Sequence, residues 1–203
     1  MAIEIRDLDK KDYEIVRQFA IEGMDIRRYS SIPYEIYLYS KFFFYLELLR
    51  ATQILAAYDE DKLVGVLFVE IKGEPTKVNS LWYKGIVKSI GMLMPLMFNG
   101  QSLLYDEANE AMFAEYTKTN KPDGELVFFA VDPTLQGKGI GTLLLQELEK
   151  REKGKEIYLY TDSGCNVEFY NHKNFVKEQV RDITMVFRDR VTPLTCYLFS
   201  KVL

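Results

Sequence analysis

The order of apolar and polar residues at the start of the chain predicts a strand followed by a helix. Residues 3–6 alternate as a short strand, and Asp9 with Asp12 opens a helix that continues to about Gly23. One apolar stripe along this helix is formed by Ile15, Val16, Phe19 and Ala20. We therefore expect this stripe to pack against the core.

A second helix and a hairpin follow. Pro33 suits a first helical turn and begins a predicted helix over residues 33–50. Within it, the run Phe-Phe-Phe-Tyr at 42–45 is apolar nearly all round, which predicts burial on several sides. Residues 53–58 and 63–71 are strand-like on either side of a polar turn, so they predict an antiparallel hairpin.

The pattern becomes helical between this hairpin and the next strand. Residues 81–98 and 102–116 are predicted helices, separated by an Asn-Gly pair. They form an insertion at about 78–121 in a chain that we expect to be a single domain over residues 1–203. Apolar side chains of the insertion provide either ordinary core packing or an adaptable substrate wall or partner surface. These side chains are Met92, Met94, Met97 and Phe98.

From Glu125 onward, strands and helices alternate. The predicted elements are a buried strand at 126–131, a helix at 140–153, a strand at 156–160, a short helix at 166–173 and strands at 175–187 and 194–201, with a turn around Asp189 and Pro193. The first three make a βαβ unit, so a parallel pair lies between antiparallel ends of the sheet. The predicted fold class is α/β, with a mixed central sheet, flanking helices and a helical insertion before the central strand.

Composition and charge exclude several classes of protein. The 203 residues are 48% hydrophobic and 28% charged, as in a folded chain rather than a disordered one. A net charge of -4 leaves no basic excess to neutralise a phosphate backbone, so we expect no nucleic-acid partner. The longest apolar stretch, at 90–98, is far short of the roughly 20 residues that cross a membrane, and the charged start predicts no signal peptide. We expect a cytoplasmic protein without membrane contact, and a homodimer is left open.

The sequence contains no pattern of a metal or disulfide site. Cys165 and Cys196 stand in no CxxC or Cys/His cluster, which favours two reduced thiols. His172 is the single histidine, so a His-rich metal site is excluded and Cys165 would lack an independent base as a nucleophile. We therefore expect no metal ion.

The strongest local signal is a glycine-rich turn between the buried strand and the next helix. After an Asp-Pro pair, the chain reads Gln136-Gly137-Lys138-Gly139-Ile140-Gly141 and enters the helix. Glycines let backbone amides point at a ligand without obstruction from a Cβ atom. The free N–H groups and the dipole of a helix N-terminus favour phosphate oxygens. The loop therefore predicts a pyrophosphate-binding site.

Two other phosphate loops fit this segment less well. A P-loop requires Ser or Thr after its Gly-Lys pair, but Gly137-Lys138 is followed by Gly139. The dinucleotide fingerprint requires GxGxxG early in a series of βαβ units, whereas this segment reads GxGxG near the end of the chain. Asp162 imitates the ribose-binding acid expected about 20 residues on, so a dinucleotide-dependent enzyme stays a minor alternative.

The segment from Gln136 to Gly141 resembles the Q/R-x-x-G-x-G/A signature of the GNAT superfamily of N-acetyltransferases, which bind acyl-coenzyme A. Downstream, Phe169-Tyr170 and Asn174-Phe175 resemble the FYxxxGF element of the same family. Asn174 stands where the family has glycine, which is a mild change because Asn tolerates the left-handed conformation. The resemblance covers residues 125–203 well and 53–71 weakly, and it is specific for the coenzyme rather than the acceptor.

The resemblance implies coenzyme-binding roles for particular residues. Main-chain groups of Phe129 and Val131 would pair with the pantetheine arm of acetyl-CoA, and one of their amides would polarise the thioester carbonyl. Asn166 lies four residues before Tyr170, on the same side of the short helix, and would contact the coenzyme. The backbone amides that would hold the pyrophosphate are those of Gln136, Gly137, Lys138, Gly139, Gly141 and Thr142.

The same resemblance implies two catalytic side chains. Tyr170 would protonate the departing thiolate, and the alternative is a packed core tyrosine with a satisfied hydroxyl. Glu125 resembles the glutamate that acts as base, often through water. Period-two alternation would place Val127, Phe129 and Val131 on its face of the strand. For Glu125 the alternative is a surface carboxylate at a strand end.

These features predict an enzyme, an N-acetyltransferase that uses acetyl-CoA as co-substrate and transfers acetyl directly to a primary amine. The reaction requires neither a metal nor a covalent enzyme intermediate. The acceptor stays open among small-molecule amines, polyamines, antibiotics, peptide amino termini and protein lysines. A non-catalytic acyl-CoA binding or sensing domain would share the same loop and is the alternative function.

Overall fold

In the computed structural model, which describes residues 2–98, 101–187 and 190–203, the chain folds around one seven-stranded sheet. The strands are β1 (Ile3–Arg6), β2 (Gln53–Asp59), β3 (Lys62–Ile71), β4 (Gly124–Val131), β5 (Glu156–Asp162), β6 (Val176–Phe187) and β7 (Arg190–Val202). Their order across the sheet is β1-β2-β3-β4-β5-β7-β6. Neighbouring strands are antiparallel except β4 and β5, which are parallel. The predicted α/β class with a mixed sheet is confirmed.

Helices cover both faces of the sheet. They are α1 (Tyr13–Gly23), α2 (Pro33–Arg50), α3 (Leu81–Phe98), α4 (Gln101–Tyr116), α5 (Ile140–Arg151) and α6 (Val167–His172). On one face, α2 buries Phe44 against Phe68 and Phe128 of the strands, with α1 beside it. On the other face, α5 buries Leu144 and its neighbours, and α6 packs against the same cluster. The β4-α5-β5 unit is the predicted βαβ unit.

The predicted insertion corresponds to α3 and α4, which lie on the α2 face. α3 packs against α2, where Ile90 and Met94 join Leu38 in a buried cluster. α4 packs against β5 and β7 through Met112 and Tyr116. The insertion therefore covers the half of the sheet that α1 and α2 leave open.

The apolar residues of the insertion divide between core and surface. Met94 is buried, whereas Met92 is 64% exposed. The side chains of Met97 and Phe98 and the Asn99-Gly100 pair lie outside the described residues.

The start of the first helix differs from the prediction. A 3-10 turn at Lys10–Asp12 precedes α1, and neither Asp9 nor Asp12 caps a helix with its side chain. The Asp12 carboxylate instead accepts a hydrogen bond from the Tyr58 hydroxyl at 2.8 Å. Ile15 is 39% exposed, because it lies at the edge of the stripe, about 100° round the helix from Val16.

Pro193 was predicted in a turn, but it lies inside β7 opposite Thr184 of β6. β5 ends where Asp162 pairs with Cys196, so at Pro193 the strand β7 has a neighbour on one side only. A proline that lacks an N–H is tolerated at such an edge. Asp189, the other residue of that predicted turn, lies outside the described residues.

Candidate active site

The parallel strands β4 and β5 pair only at their first residues and then separate. Gly124 lies opposite Ile157 and Glu125 lies opposite Tyr158, and the described residues form no later pair between these strands. β5 continues along β7 instead. Beyond Glu125, the β5-facing edge of β4 is left without a partner strand, which opens a V-shaped gap in the sheet.

The backbone of β4 offers hydrogen-bonding groups to this gap. Immediately after β4, the N–H of Asp132 donates to the carbonyl of Val64 in β3 at 2.9 Å. Backbone groups alternate in direction along a strand, so Ala130 shares the direction of Asp132. The amides and carbonyls of Phe129 and Val131 point the other way, toward the gap. These are the two residues predicted to pair with a pantetheine arm, and that role stays a prediction.

A bulge interrupts the alternation of β4. Adjacent residues of β3 pair with Leu126 and with Phe128, so Val127 is an extra residue in the ladder. An extra residue reverses which face every later side chain occupies. The bulge therefore separates Glu125, near the start of β4, from Phe129 and Val131, whose backbone groups face the gap.

The faces of β4 differ from the prediction because of this bulge. Phe129 and Val131 pack with the cluster under α5, whereas Val127 packs with the cluster under α2. The carboxylate of Glu125 also lies on the α2 side, where it meets Arg50. The predicted common face of Glu125, Phe129 and Val131 is therefore wrong.

The glycine-rich loop is held at its start by Asp132. This carboxylate accepts hydrogen bonds from the Thr134 amide at 2.9 Å and from Lys62 Nζ at 2.9 Å. Burial opposes ionisation of Asp132, but the bonds from Thr134 and Lys62 outweigh it and lower its pKa. Gly137 and Gly139 both have φ of +81°, a left-handed conformation that glycine adopts without strain. A Cβ atom at either position would meet no atom within 4 Å, so the loop faces open space.

The amides of the loop fall into two groups. Gln136 N donates to the Pro133 carbonyl at 3.4 Å, and Lys138 N donates to the Leu135 carbonyl at 3.2 Å. No such backbone acceptor is recorded, among the described residues, for the amides of Gly137, Gly139, Gly141 and Thr142. Those of Gly141 and Thr142 belong to the first turn of α5, where N–H groups are free to bind an anion.

The same loop packs closely against α6. A Cβ atom on Gly141 would lie 3.2 Å from the Phe169 ring and 3.5 Å from the Phe129 ring, so glycine allows α5 to approach both. Phe169 and Phe129 themselves meet edge to face, with ring centroids 5.3 Å apart. Asn174 has φ of +59°, which confirms the left-handed conformation expected at the end of α6.

Asn166 precedes the first residue of α6, and Tyr170 lies one turn further along the helix. The Tyr170 ring is partly buried and packs against Phe175 and Phe199, with centroids 5.4 and 5.8 Å away. Burial, with a smaller contribution from Cys165, raises the pKa of Tyr170 above its usual value. Asn166 caps the helix, where its Oδ1 accepts a hydrogen bond from the Phe169 amide at 3.3 Å. The predicted roles of Tyr170 and Asn166 stay predictions.

Cys165 lies beside Tyr170 at the wide end of the gap. Burial first, and the nearby Asp162 carboxylate second, raise the pKa of the Cys165 thiol to about 11. A thiol with such a pKa is protonated at neutral pH and is a poor nucleophile. Cys165 is therefore a poor candidate for a nucleophile.

Glu125 lies at the narrow end of the gap, on the α2 side, and is largely buried. Its Oε2 accepts hydrogen bonds from Arg50 Nη2 at 2.5 Å and from the Tyr158 hydroxyl at 2.9 Å. Arg50 Nε also bonds Glu70 at 2.8 Å, and Arg50 Nη1 lies 3.5 Å from Glu47. One guanidinium is therefore shared by three carboxylates.

Glu47 is the residue of this cluster that sequence reasoning missed. It is 6% exposed, and burial raises its pKa to about 8 despite the opposing charge of Arg50. Glu47 and Arg50 are charged residues three apart at the end of an apolar helix, which is the signal that could have identified them. No local pattern predicts that they meet Glu125.

Solved structures of acetyltransferases are similar to this fold. The PaiA N-acetyltransferase of Thermoplasma acidophilum, solved with coenzyme A, is 20% identical with a TM-score of 0.55, over 100% of both chains. The NAA60 of Arabidopsis thaliana, solved with a bisubstrate analogue, is 17% identical with a TM-score of 0.52, over 98% of this chain and 97% of that one. Identities this low establish the fold alone.

Comparisons of the sequence itself add to this likeness of fold. Comparison with curated protein sequences gives no significant match. No helix in the described part of the chain is long and apolar enough to cross a membrane. The model of the Acetyltransferase (GNAT) family matches residues 13–175, which is most of the chain. On that match, together with the gap in the sheet and the glycine loop beside it, this chain belongs to the GNAT acetyltransferase family.

Proposed function

We propose that this protein is an acyl-CoA-dependent N-acyltransferase that transfers acetyl from acetyl-CoA directly to a primary amine. The observation that carries the proposal is the V-shaped gap between β4 and β5, with free backbone groups along one edge. The glycine loop and the start of α5 lie at the wide end of this gap. A carboxylate cluster lies at its narrow end, on the opposite face.

The loop suits the pyrophosphate of a coenzyme. The amides of Gly139, Gly141 and Thr142 would donate to phosphate oxygens at the positive end of the α5 dipole. The Gln136 and Lys138 amides would join them if the ligand displaced their weak bonds within the loop. The outward-pointing groups of Phe129 and Val131 would pair with the pantetheine arm as a strand pairs in a sheet.

Acetyl-CoA supplies an acetyl group activated as a thioester. The Phe129 or Val131 amide would bind the thioester oxygen and stabilise the negative charge that develops there. Tyr170 would donate its hydroxyl proton to the sulfur as the carbon–sulfur bond breaks. Its raised pKa keeps this proton in place at neutral pH. Asn166 would keep α6, and therefore Tyr170, in position.

The amine must lose its protons on the opposite side of the gap. An acceptor ammonium would first give one proton to the carboxylate cluster and attack as a neutral amine, and a second proton would leave as the amide forms. Glu125 would accept the first proton directly or through water and pass it to solvent before it accepts the second, while Arg50 and Tyr158 hold its carboxylate in place. One proton is thus released to solvent, and the other replaces, by way of water, the proton that Tyr170 gives to the sulfur. The products are one acetyl amide, one free thiol and one proton.

The test is acetyl transfer by the purified full chain to a panel of amines, followed as release of free thiol from acetyl-CoA. We expect thiol release that depends on an amine and yields the acetyl amide by mass spectrometry. Acetyl-CoA at 100 times its dissociation constant should add about 2.7 kcal/mol to stability in a thermal-shift assay, and NADH should add nothing. Stabilisation by acetyl-CoA without transfer to any amine would favour the non-catalytic binding domain instead.

A further inference from the structure

The turn between β5 and α6, residues 162–166, leads into the helix that carries the proposed proton donor. The carbonyl of Asp162 accepts a hydrogen bond from the Cys165 amide at 2.9 Å, which closes the turn. On the neighbouring strand β7, the carbonyl of Thr195 accepts a bond from the Ser163 amide at 2.9 Å, and the Thr195 amide donates to Ser163 Oγ at 3.2 Å. The turn is therefore fixed both by its own backbone and by β7.

The carboxylate of Asp162 adds two further bonds. Its Oδ1 accepts a hydrogen bond from the Gly164 amide at 2.7 Å, and its Oδ2 accepts one from the Tyr105 hydroxyl of α4 at 3.3 Å. Asp162 is only 7% exposed. In the sequence this residue imitates the ribose-binding acid of a dinucleotide site. In the fold its two oxygens bond the turn and the insertion instead.

Gly164 brings a further element against the turn. A Cβ atom at this position would lie 2.9 Å from Asp162 Oδ1 and 3.1 Å from Arg28 Nη1, so glycine leaves room for both. Arg28 ends a 3-10 turn between α1 and α2, and its Nη2 donates to the Pro193 carbonyl of β7 at 3.1 Å. The guanidinium therefore limits the space into which Gly164 can move.

Cys165 and Asn166 connect the turn to Tyr170. The thiol of Cys165 lies within electrostatic reach of the Tyr170 hydroxyl, whose pKa it helps to raise. The Cys165 carbonyl accepts a hydrogen bond from the Val167 amide at 3.0 Å, and Asn166 caps α6 with its side chain. Because α6 is a short helix that begins directly at this turn, a displacement of the turn moves Tyr170 with it.

The insertion reaches the turn through Tyr105. Helix α4 is tied to both ends of β5, since Tyr105 bonds Asp162 at its last residue and the Tyr116 hydroxyl donates to Glu156 at its first, at 2.8 Å. Each contact joins a tyrosine of the insertion to an acid of the strand. Of these two contacts, only that of Tyr105 adjoins the turn that leads to α6.

Resting on the proposed function, we propose that Asp162 is a positioning residue for Tyr170 and that the insertion takes part in catalysis through Tyr105. Asp162 holds the Gly164 amide, and so keeps the turn in the conformation that directs α6 toward the gap. Tyr105 holds the same carboxylate from the side of α4. Both side chains act on the distance between the Tyr170 hydroxyl and the departing sulfur.

The first experiment compares Asp162→Ala with Asp162→Asn in acetyl transfer by the full chain. Alanine leaves the Gly164 amide without its acceptor, and kcat should fall about tenfold or more, because a shift of about 1 Å in a catalytic group can cost about 10²-fold. Asparagine keeps an oxygen for Gly164 and an amide group opposite the Tyr105 hydroxyl, so kcat should return to within about threefold of the original. KM for acetyl-CoA should stay unchanged in both variants. Full kcat in the alanine variant would overturn the proposal.

A double-mutant cycle shows whether Asp162 acts through Tyr170. In the Tyr170→Phe background, Asp162→Ala should lower kcat by less than about twofold, because the group that it positions is already absent. A side chain that only stabilises the fold would lower kcat by the same factor in both backgrounds. Equal factors would therefore contradict the proposal.

Two tyrosine variants test the part played by the insertion. Tyr105→Phe removes one of the two bonds of the Asp162 carboxylate and should lower kcat severalfold. It also tests the proposal if Asp162→Ala does not fold. Tyr116→Phe is the matched control, because it removes a similar bond of the same helix at the far end of β5. An unchanged kcat in the Tyr105 variant, or an equal loss in both variants, would remove the insertion from the proposal.

Hydrogen exchange separates this inference from the proposed function. Amide exchange over residues 163–172 is measured by mass spectrometry in the original chain and in both Asp162 variants. If exchange is faster with alanine and normal with asparagine but no amine is acetylated, the proposed function fails and the placement of α6 by Asp162 stands. If amines are acetylated and Asp162→Ala changes neither the exchange nor kcat, the function stands and this inference fails.

Discussion

The two sides of the gap between β4 and β5 are built in different ways. On the loop side, the groups available to a ligand are backbone amides of one continuous segment, 136–142. On the opposite side, which we call the acceptor side, they are the side chains of Glu47 and Arg50 of α2, Glu125 of β4 and Tyr158 of β5, more than one hundred residues apart at the extremes. We therefore expect the loop side to bind a chemical group common to the family, and the acceptor side to select the substrate of this chain.

The largest effect is expected from a charge placed on the loop side. Gly139→Asp should abolish binding of acetyl-CoA, because a carboxylate at the start of α5 occupies and repels the pyrophosphate position. The measurement is calorimetric titration with acetyl-CoA. Part of the effect is conformational, since φ of +81° costs a non-glycine residue about 1–2 kcal/mol.

Gly154→Asp is the matched control for this prediction. Gly154 has φ of +86° and open space around its Cβ position, but it lies at the far end of α5. The control should lose similar stability and keep its affinity for acetyl-CoA. Unchanged affinity in the Gly139 variant would place the pyrophosphate elsewhere.

The next largest effect concerns the proposed proton donor. Tyr170→Phe should lower kcat by about 10² to 10⁴, because general acid catalysis is typically of that size, and should leave acetyl-CoA binding nearly unchanged. The defect should shrink with a thioester whose leaving thiol is more acidic. Tyr197→Phe, a partly buried tyrosine on the same cluster, should keep almost full turnover. Full turnover in the Tyr170 variant would mean that water or another group supplies the proton.

On the acceptor side, removal of the shared cation should affect stability as well as activity. Arg50→Gln leaves Glu47, Glu70 and Glu125 without their common partner. We expect a loss of roughly 2–3 kcal/mol in urea unfolding at pH 8, below the range for fully buried pairs because Arg50 is partly exposed. Arg151→Gln breaks a surface pair with Glu147 and should cost less than about 0.5 kcal/mol. Equal losses of stability in the two variants would mean that Arg50 and its three carboxylates are not energetically coupled.

The smallest effect, per pH unit, is a change in the pH dependence of stability. The pKa of Glu47 is raised to about 8 in the folded protein, so between pH 4.5 and 8 the folded state binds a proton that the unfolded state has lost. Protonated Glu47 stabilises the fold at low pH, and this contribution is lost as pH rises toward 8. Glu47→Gln should therefore flatten the stability profile by about 1 kcal/mol per pH unit in this window. Glu22→Gln, an exposed carboxylate on α1, should leave the profile unchanged.

Individual elements explain how far sequence reasoning reached. The hairpin of β2 and β3, the bounds of α2 and the βαβ unit follow from local periodicity, so they were predicted to within a few residues. The bulge at Val127 was not predicted, because an extra strand residue leaves no mark on composition. It is also the reason that Glu125 and Phe129 lie on opposite faces.

The sequence by itself determined the loop side of this protein, because a glycine conformation and a helix start depend on neighbouring residues. The tertiary structure alone decided the acceptor side. Glu47 and Glu125 meet at Arg50 only because α2 packs across a sheet that opens after Glu125. Contacts between residues so distant along the chain are set by packing of buried faces, which no local pattern encodes.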